Sequence, residues 1–320
     1  MRKGAWIMLS RVADSIYWMN RCIERAENYA RFMDVNISLS IDLPRDLPEQ
    51  WQPLVRVTGD DILFESQYGE YSREAVVEFL TFNRNNPNSI LSCLTQAREN
   101  ARTVREIISS EMWRQINELY LSVKDMTMKR HGNLSDLYRD IKNGTHLFNG
   151  IMDSTLMHNE SYHFANLGRL LERADKTARI IDMKYFYLLP RIEDVGTAID
   201  LLQWSALLKS TSAYEVYRKK YGGMDFRNIL ELLVFDREFP RAIHFSLLEA
   251  DRSLHAISGA PVGAFGNAAE KELGKIIARF SFNDVDDVVH HGLHEYLDDF
   301  QVRLNCLGEE IFHTFFNQVH

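Results

Sequence analysis

Between Ser10 and Ile41, the apolar residues Ile16, Met19, Ile23, Ala26, Ala30, Met33 and Ile37 recur at spacings of three and four. That spacing lines one face of a helix. Glu24, Glu27, Arg31 and Asp34 fall on a neighbouring face, with Glu27 and Arg31 in the favourable i,i+4 order. The same reading predicts helices over about 60–82 (one or two), 89–124 (interrupted near Ser109-Ser110), onward from Asn133, and over about 159–188, 196–220, 225–236, 240–258, 266–280 and 284–316. Asn85-Asn86-Pro87-Asn88-Ser89 and Asn133-Leu-Ser-Asp136 supply start and stop chemistry. Residues 42–59 read as a loop, and Asn143-Gly144 as a break or kink. No convincing strand pattern is found, so the expected fold class is all-α, a multi-helix bundle. Apolar faces on both sides of the proline-bearing stretch need partners, which favours one helical domain over residues 1–320.

Composition agrees. The chain has only 7 prolines in 320 residues, and Pro44, Pro48 and Pro53 share one short stretch. Proline removes a helix N–H donor and clashes with the preceding turn, so its exclusion from long periodic segments fits helices. The formal charge of -8 disfavours nucleic acid and anionic membranes as partners of the whole chain. No apolar run approaches the ~18 residues of a membrane span. Cys22, Cys93 and Cys306 are far apart and odd in number, which indicates neither a disulfide framework nor a zinc site. Together with the lack of a signal-like apolar segment, this leads to a cytoplasmic expectation.

A repeated motif changes the picture. Arg21-Cys-Ile-Glu24-Arg25-Ala26-Glu27-Asn-Tyr-Ala30-Arg31-Phe-Met-Asp34 matches Arg169-Leu-Leu-Glu172-Arg173-Ala174-Asp175-Lys-Thr-Ala178-Arg179-Ile-Ile-Asp182. Eight positions are identical or differ only as Glu against Asp, and Ala97-Arg98-Glu99-Asn100-Ala101-Arg102 is a weaker echo. Ala26/Ala30 and Ala174/Ala178 permit close helix–helix approach. The two motif helices are therefore expected to be able to pack together as pseudo-repeated halves. Arg21 with Glu24, and Arg169 with Glu172, can pair along one helix or exchange partners between helices. Buried carboxylates need such partners, because unpaired burial is costly. These charges read either as a structural ion-pair network or as a polar pocket between the helices.

The chain resembles the bacterial alpha-E domain family. The resemblance rests on Met8-Leu-Ser-Arg-Val-Ala-Asp-Ser-Ile-Tyr-Trp-Met, the two motif copies, Asn86-Pro-Asn-Ser-Ile and Ala97-Arg-Glu-Asn-Ala-Arg through Ser109-Ser-Glu111-Met-Trp113. Gln203-Trp204 through Ala213-Tyr-Glu-Val-Tyr217, Phe239-Pro-Arg-Ala and Gly292-Leu-His-Glu extend it over about residues 8–316. The resemblance implies an all-helical fold. It also implies company with circularly permuted ATP-grasp ligases and transglutaminase-like peptidases, and hence a role in making or modifying small peptides or amide-linked metabolites. The expected function is an accessory or substrate-binding subunit of an ATP-grasp-type amide ligase acting in trans. The alternatives are a stand-alone enzyme with a Glu/Arg site, with or without a metal, acting on a peptide-like substrate, and a structural assembly module.

The candidate binding residues are Arg21, Glu24, Arg25, Glu27, Arg31, Arg169, Glu172, Arg173, Asp175, Arg179, His294 and Glu295. Converging arginines can hold a carboxylate or phosphate bidentately. His294 and Glu295 belong to Asp286-Asp287-Val-Val-His290-His291-Gly-Leu-His294-Glu295, where Asp287, His291 and Glu295 would share a face of one continuous helix. Glu160-Ser-Tyr-His163 and Glu310-Ile-Phe-His313, with Glu24 and Glu172, compose a ferritin-like ligand set. Such pairs arise easily by chance, so no metal or other cofactor is expected. GxxxxGK[ST], GxGxxG and GxSxG motifs are absent, as is the DDxxD of isoprenoid synthases.

Overall fold

The computed structural model describes residues 8–42, 51–129, 133–187 and 196–317. Every regular element among them is helical: α1 (Ser10–Asp42), α2 (Gln52–Thr58), α3 (Asp61–Gln67), α4 (Arg73–Val77), α5 (Ile90–Thr103), α6 (Ser110–Lys129), α7 (Leu134–Thr155), α8 (Glu160–Tyr187), α9 (Ala198–Ser210), α10 (Tyr214–Tyr221), α11 (Phe226–Leu230), α12 (Ile243–Ser258), α13 (Ala268–Phe282), α14 (Val285–His291) and α15 (Leu293–Ile311). Wider π turns extend α4 over Glu78–Phe82, α11 over Glu231–Phe235 and α15 over Phe312–Phe316.

The two motif helices, α1 and α8, form the most extensive helix pair and the axis of the molecule. α5 and α7 pack on α1, with α6 joining them; α12 and α15 pack on α8, with α13 joining those. α2 follows α1 in sequence but packs on α8, while α9 follows α8 and packs on α1. The seven apolar residues read from α1 are all buried. The charged face beside them is not solvated as on an ordinary amphipathic helix: Glu24 and Glu27 are also buried. A single cluster of buried apolar side chains runs from Ala13 to Ile311. Among the described residues, no helix is long and apolar enough to cross a membrane.

Several boundaries differ from the sequence reading for identifiable reasons. Part of the expected loop, Gln52–Thr58, is helical, with proline in its first turn and Gly59 closing it in the left-handed region (φ 78°); residues 43–50 lie outside the described residues. Asn143-Gly144 does not interrupt α7. Gly144 is there for space: a Cβ on it would come within 2.6 Å of Leu119 Cδ2, and its carbonyl accepts a hydrogen bond from Gln115 Nε2 (3.1 Å). The expected helix 196–220 is broken where Ser212 adopts φ 55°. Gly292 (φ 97°) divides the expected helix 284–316. Asp287 and His291 therefore lie on a different helix from Glu295, and the shared face expected of them does not exist.

α1 and α8 touch at backbone level. A Cβ on Gly168 would lie 2.4 Å from the Tyr17 carbonyl oxygen, which cannot swing aside as a side chain does. Gly168→Ala is expected to cost on the order of 1–3 kcal/mol in urea unfolding, as overpacking does. Gly150→Ala, in helix α7 with open space around it, should instead stabilise by roughly 0.8–1 kcal/mol, the helix-propensity difference between glycine and alanine. Equal effects from the two would refute a tight α1–α8 contact at Gly168.

Candidate functional site

Between α1 and α8 the two Glu-Arg pairs exchange partners. Arg25 donates to Glu172 from Nε (2.6 Å) and Nη2 (3.1 Å). Arg173 donates to Glu24 from Nε (2.8 Å) and Nη2 (2.9 Å). Corresponding motif positions thus make the same bidentate bond in opposite directions. Both carboxylates are buried. Burial alone would raise the pKa of Glu172, but Arg25, Lys176 and Arg21 outweigh it and hold the carboxyl well below its usual range. Glu27 is held low in the same way, its burial outweighed by Arg241, His146 and Arg31.

The second acidic position pairs within its own helix. Glu27 accepts from Arg31 Nε (2.6 Å), and Asp175 accepts from Arg179 Nε (2.9 Å to each oxygen). Lys176 Nζ bonds Asp175 at 2.7 Å and lies 3.4 Å from Glu172. Arg21 Nε reaches Glu172 at 2.9 Å. Its counterpart Arg169 does not repeat this contact: Nη2 donates to Asn166 Oδ1 (2.6 Å), while Nε is buried without a partner. Burial, with repulsion from Arg173, lowers the Arg169 pKa.

Two residues absent from the sequence candidates complete the network. Arg241 Nη2 bonds both oxygens of Glu27 (2.6 and 2.8 Å), and Asn88 Oδ1 accepts from Arg25 Nη1 (2.7 Å). Both are delivered by a π turn and the loop after it. The sequence carried a signal for this pair. Glu78–Ile90 and Glu231–Ile243 share Glu78/Glu231, Leu80/Leu233, Phe82/Phe235, Arg84/Arg237, Pro87/Pro240 and Ile90/Ile243, and Asn88 and Arg241 occupy the same place in them. Arg98, from the weaker echo, stays outside the network and bonds Asn117 Oδ1 (2.8 Å).

The network opens onto a cleft of about 730 Å³ between α1, α8 and α15. Arg21, Arg25, Asp175, Lys176 and Arg179 line it, with Trp18 and Phe312 among its aromatic walls. A second cleft of about 610 Å³ lies between α1 and α5 and shares Trp18, Arg25 and Asn88 with the first. Of the candidate residues, Arg21, Arg25, Asp175 and Arg179 thus reach a cleft. Glu24, Glu27 and Glu172 are buried and occupied by cations. Cys22 borders the second cleft, and burial pushes its thiol up to about 11, which leaves it protonated and unreactive near neutral pH.

The other candidates are dispersed. His294 Nδ1 contacts Asp182 at 2.7 Å, joining the start of α15 to the last acid of the α8 motif. Glu295 is exposed. Glu160 Oε2 accepts from the Met8 backbone N–H (3.0 Å), His163 is half-buried at the start of α8, and His313 borders the first cleft. Among the described residues, no group of three or more His, Cys, Asp or Glu is placed to hold a metal ion. The ferritin-like assembly of Glu24, Glu172, Glu160, His163, Glu310 and His313 does not form, because arginines already hold Glu24 and Glu172.

Glu172→Gln should unfold the protein at lower urea, losing about 3–5 kcal/mol, because it leaves Arg21 and Arg25 facing an uncompensated core. A change at exposed Glu309 should stay within about 0.5 kcal/mol, and similar losses from both would refute the network. The Asp182 hydrogen bond raises the His294 pKa above its ordinary 6.5. While Asp182 is ionised, stabilisation from this pair is full below pH ~6.5 and is lost as pH rises through the raised value; burial raises the Asp182 pKa, so the pair is lost again as acid protonates that carboxylate. In an NMR titration, Asp182→Asn should move the His294 midpoint down; an unchanged midpoint would refute the coupling.

Comparison with known proteins places these motifs. Two Mycobacterium tuberculosis proteins and one from Mycobacterium bovis, each named only as an uncharacterized protein, are 20–21% identical over 312 residues. The matches cover 91% of this chain but 35% of each relative, so the chain spans about a third of their length. No solved structure matches. The Alpha-E family, described as a predicted alpha-helical domain with a conserved ER motif, matches residues 8–316. Glu24-Arg25 and Glu172-Arg173 are Glu-Arg pairs of that kind, and the chain belongs to the Alpha-E family.

Proposed function

We propose that this domain is a substrate-binding subunit that works beside an ATP-grasp-type amide ligase and holds an anionic part of the substrate. The cleft between α1, α8 and α15 carries this reading. Four cations, Arg21, Arg25, Lys176 and Arg179, meet there over two carboxylates, Glu172 and Asp175. Glu309 also lines the cleft, so four cations face three carboxylates and the cleft keeps a net positive charge in a chain whose formal charge is -8. Its volume of about 730 Å³ is in the range of small-ligand sites.

Binding is favoured over catalysis by the motif carboxylates. A general acid or base exchanges its proton near the working pH, whereas Glu172 and Glu27 are held ionised by arginines. The chain has no phosphate-loop or dinucleotide motif that would supply an activating nucleotide. In the mycobacterial relatives the matched stretch is one part of a much longer chain, which supports a domain that acts next to other segments. The ligase, and a transglutaminase-like protein as a further partner, come from the family resemblance.

Affinity capture of the tagged protein from its own host, read by mass spectrometry, tests the partnership. Stoichiometric recovery of an ATP-grasp protein is the expected result. Recovery of the tagged protein alone, under gentle and crosslinked conditions alike, would overturn the proposed partnership.

A further inference from the structure

Arg31 and Arg179 hold the same position in the two motif copies, yet their environments differ at one decisive point. Arg31 is enclosed: Nε bonds Glu27, Nη1 bonds Ser212 Oγ (2.6 Å), and Nη2 lies 3.0 Å from His146 Nε2. Ser212 holds its left-handed backbone (φ 55°) at the end of that bond. Arg179 has only its Nε engaged, by Asp175; among the described residues its two terminal nitrogens make no hydrogen bond. They belong to a residue lining the first cleft. The neighbouring backbone is Gly59, where a Cβ would lie 3.7 Å from Nη1.

A guanidinium fixed along one edge and open along the other is a preformed fork for an oxyanion. In one half of the molecule the protein fills this place with Ser212 and His146, and in the other half it leaves it facing the cleft. Arg21 adds charge from the opposite wall and lies 4.9 Å from the Trp18 ring centroid. Glu309, an exposed lining residue, adds one negative charge and leaves the cleft net positive.

The second cleft has a different chemistry, suited to an uncharged portion of the same ligand. Beyond Trp18 it is walled by Ser92, Thr95, Gln96 and Asn100 of α5, which are neutral groups that donate and accept hydrogen bonds. Asn100 Nδ2 is buried there without a partner. Asp14 offsets Arg84, and Arg25, which also lines this cleft, is already held by Glu172 and Asn88. A second oxyanion finds little reason to bind here, whereas amide groups match this lining.

We infer that Arg179 grips the terminal carboxylate of a short peptide-like chain, which crosses Trp18 and lays its amides along Ser92, Gln96 and Asn100. This deepens the substrate-binding reading and rests on it, but it requires no ligase.

The test is calorimetric titration of the purified full chain with a hexapeptide of alternating glycine and serine, its C-terminal amide, acetate and inorganic phosphate. Ser92 to Asn100 alone spans roughly 12 Å of α5, the full reach of about three extended residues, so a shorter probe would not connect the two clefts. The hexapeptide acid should bind at least tenfold more tightly than its amide and than either small anion. Arg179→Gln should remove the preference for acid over amide. Asn100→Leu should weaken the hexapeptide severalfold and leave acetate unchanged. If Arg179→Gln fails to fold by circular dichroism, Arg179→Lys keeps the charge, loses the fork and should weaken the acid severalfold while leaving the amide unchanged. Equal binding of acid and amide, no binding of the hexapeptide, or phosphate binding as tightly as the hexapeptide would each overturn the inference. Because no ligase is present, peptide binding together with a failed capture experiment would refute the partnership and leave the groove standing.

Discussion

Two buried carboxylates each take the arginine of the other motif helix, and the rest of the molecule is arranged around that exchange. Glu24 with Arg173, and Glu172 with Arg25, cross between α1 and α8 as bidentate pairs. Buried charges are tolerable only when geometry and further hydrogen bonds repay desolvation. That requirement fixes the register of the two helices, since sliding either one strands charges in the core. It also explains the glycine at the contact: Gly168 lets the backbones approach closely enough for the side chains to reach across.

The exchange also dictates what the flanking segments supply. The charges of both motif helices need further polar neighbours, and two loops, each following a π turn, bring them. Asn88 serves Arg25 and Arg241 serves Glu27, while the Pro240 carbonyl lies 3.4 Å from Arg173 Nη1. The two motif copies are not equivalent in detail. Around Glu27 the protein closes the network with Arg241, Ser212 and His146, whereas around Asp175 it leaves cations facing a cleft. Function is proposed where the two motif copies differ, because there the terminal nitrogens of Arg179 are left, among the described residues, without a hydrogen bond.

Much of this was legible in the chain. Apolar periodicity marked α1, and the repeat at Arg21–Asp34 and Arg169–Asp182 singled out two helices able to pack together, without deciding that they do. The possibility of exchanged ion pairs came from small residues beside charged ones. Helix ends were less legible where glycine served space rather than termination, as at Gly144, or where a residue left helical geometry with no local signal, as at Ser212. Asp287, His291 and Glu295 illustrate the same limit: a shared face exists only if the helix is continuous, and Gly292 ends it.

Side-chain spacing along a helix is a local property, so the helical class, the two motif helices and the charges they carry are readable from the order of residues alone. Which charges are satisfied and which remain open depends on how the helices pack. Arg31 and Arg179 are identical in type and motif position, and Glu24 and Arg25 are neighbours in sequence. Yet Arg31 is enclosed by Ser212 and His146, Arg179 faces a cleft, Glu24 is sealed in the core and Arg25 reaches two clefts. These differences come from groups more than a hundred residues away, or on other helices. Burial and hydrogen-bond partnership are set by packing, which local periodicity does not encode.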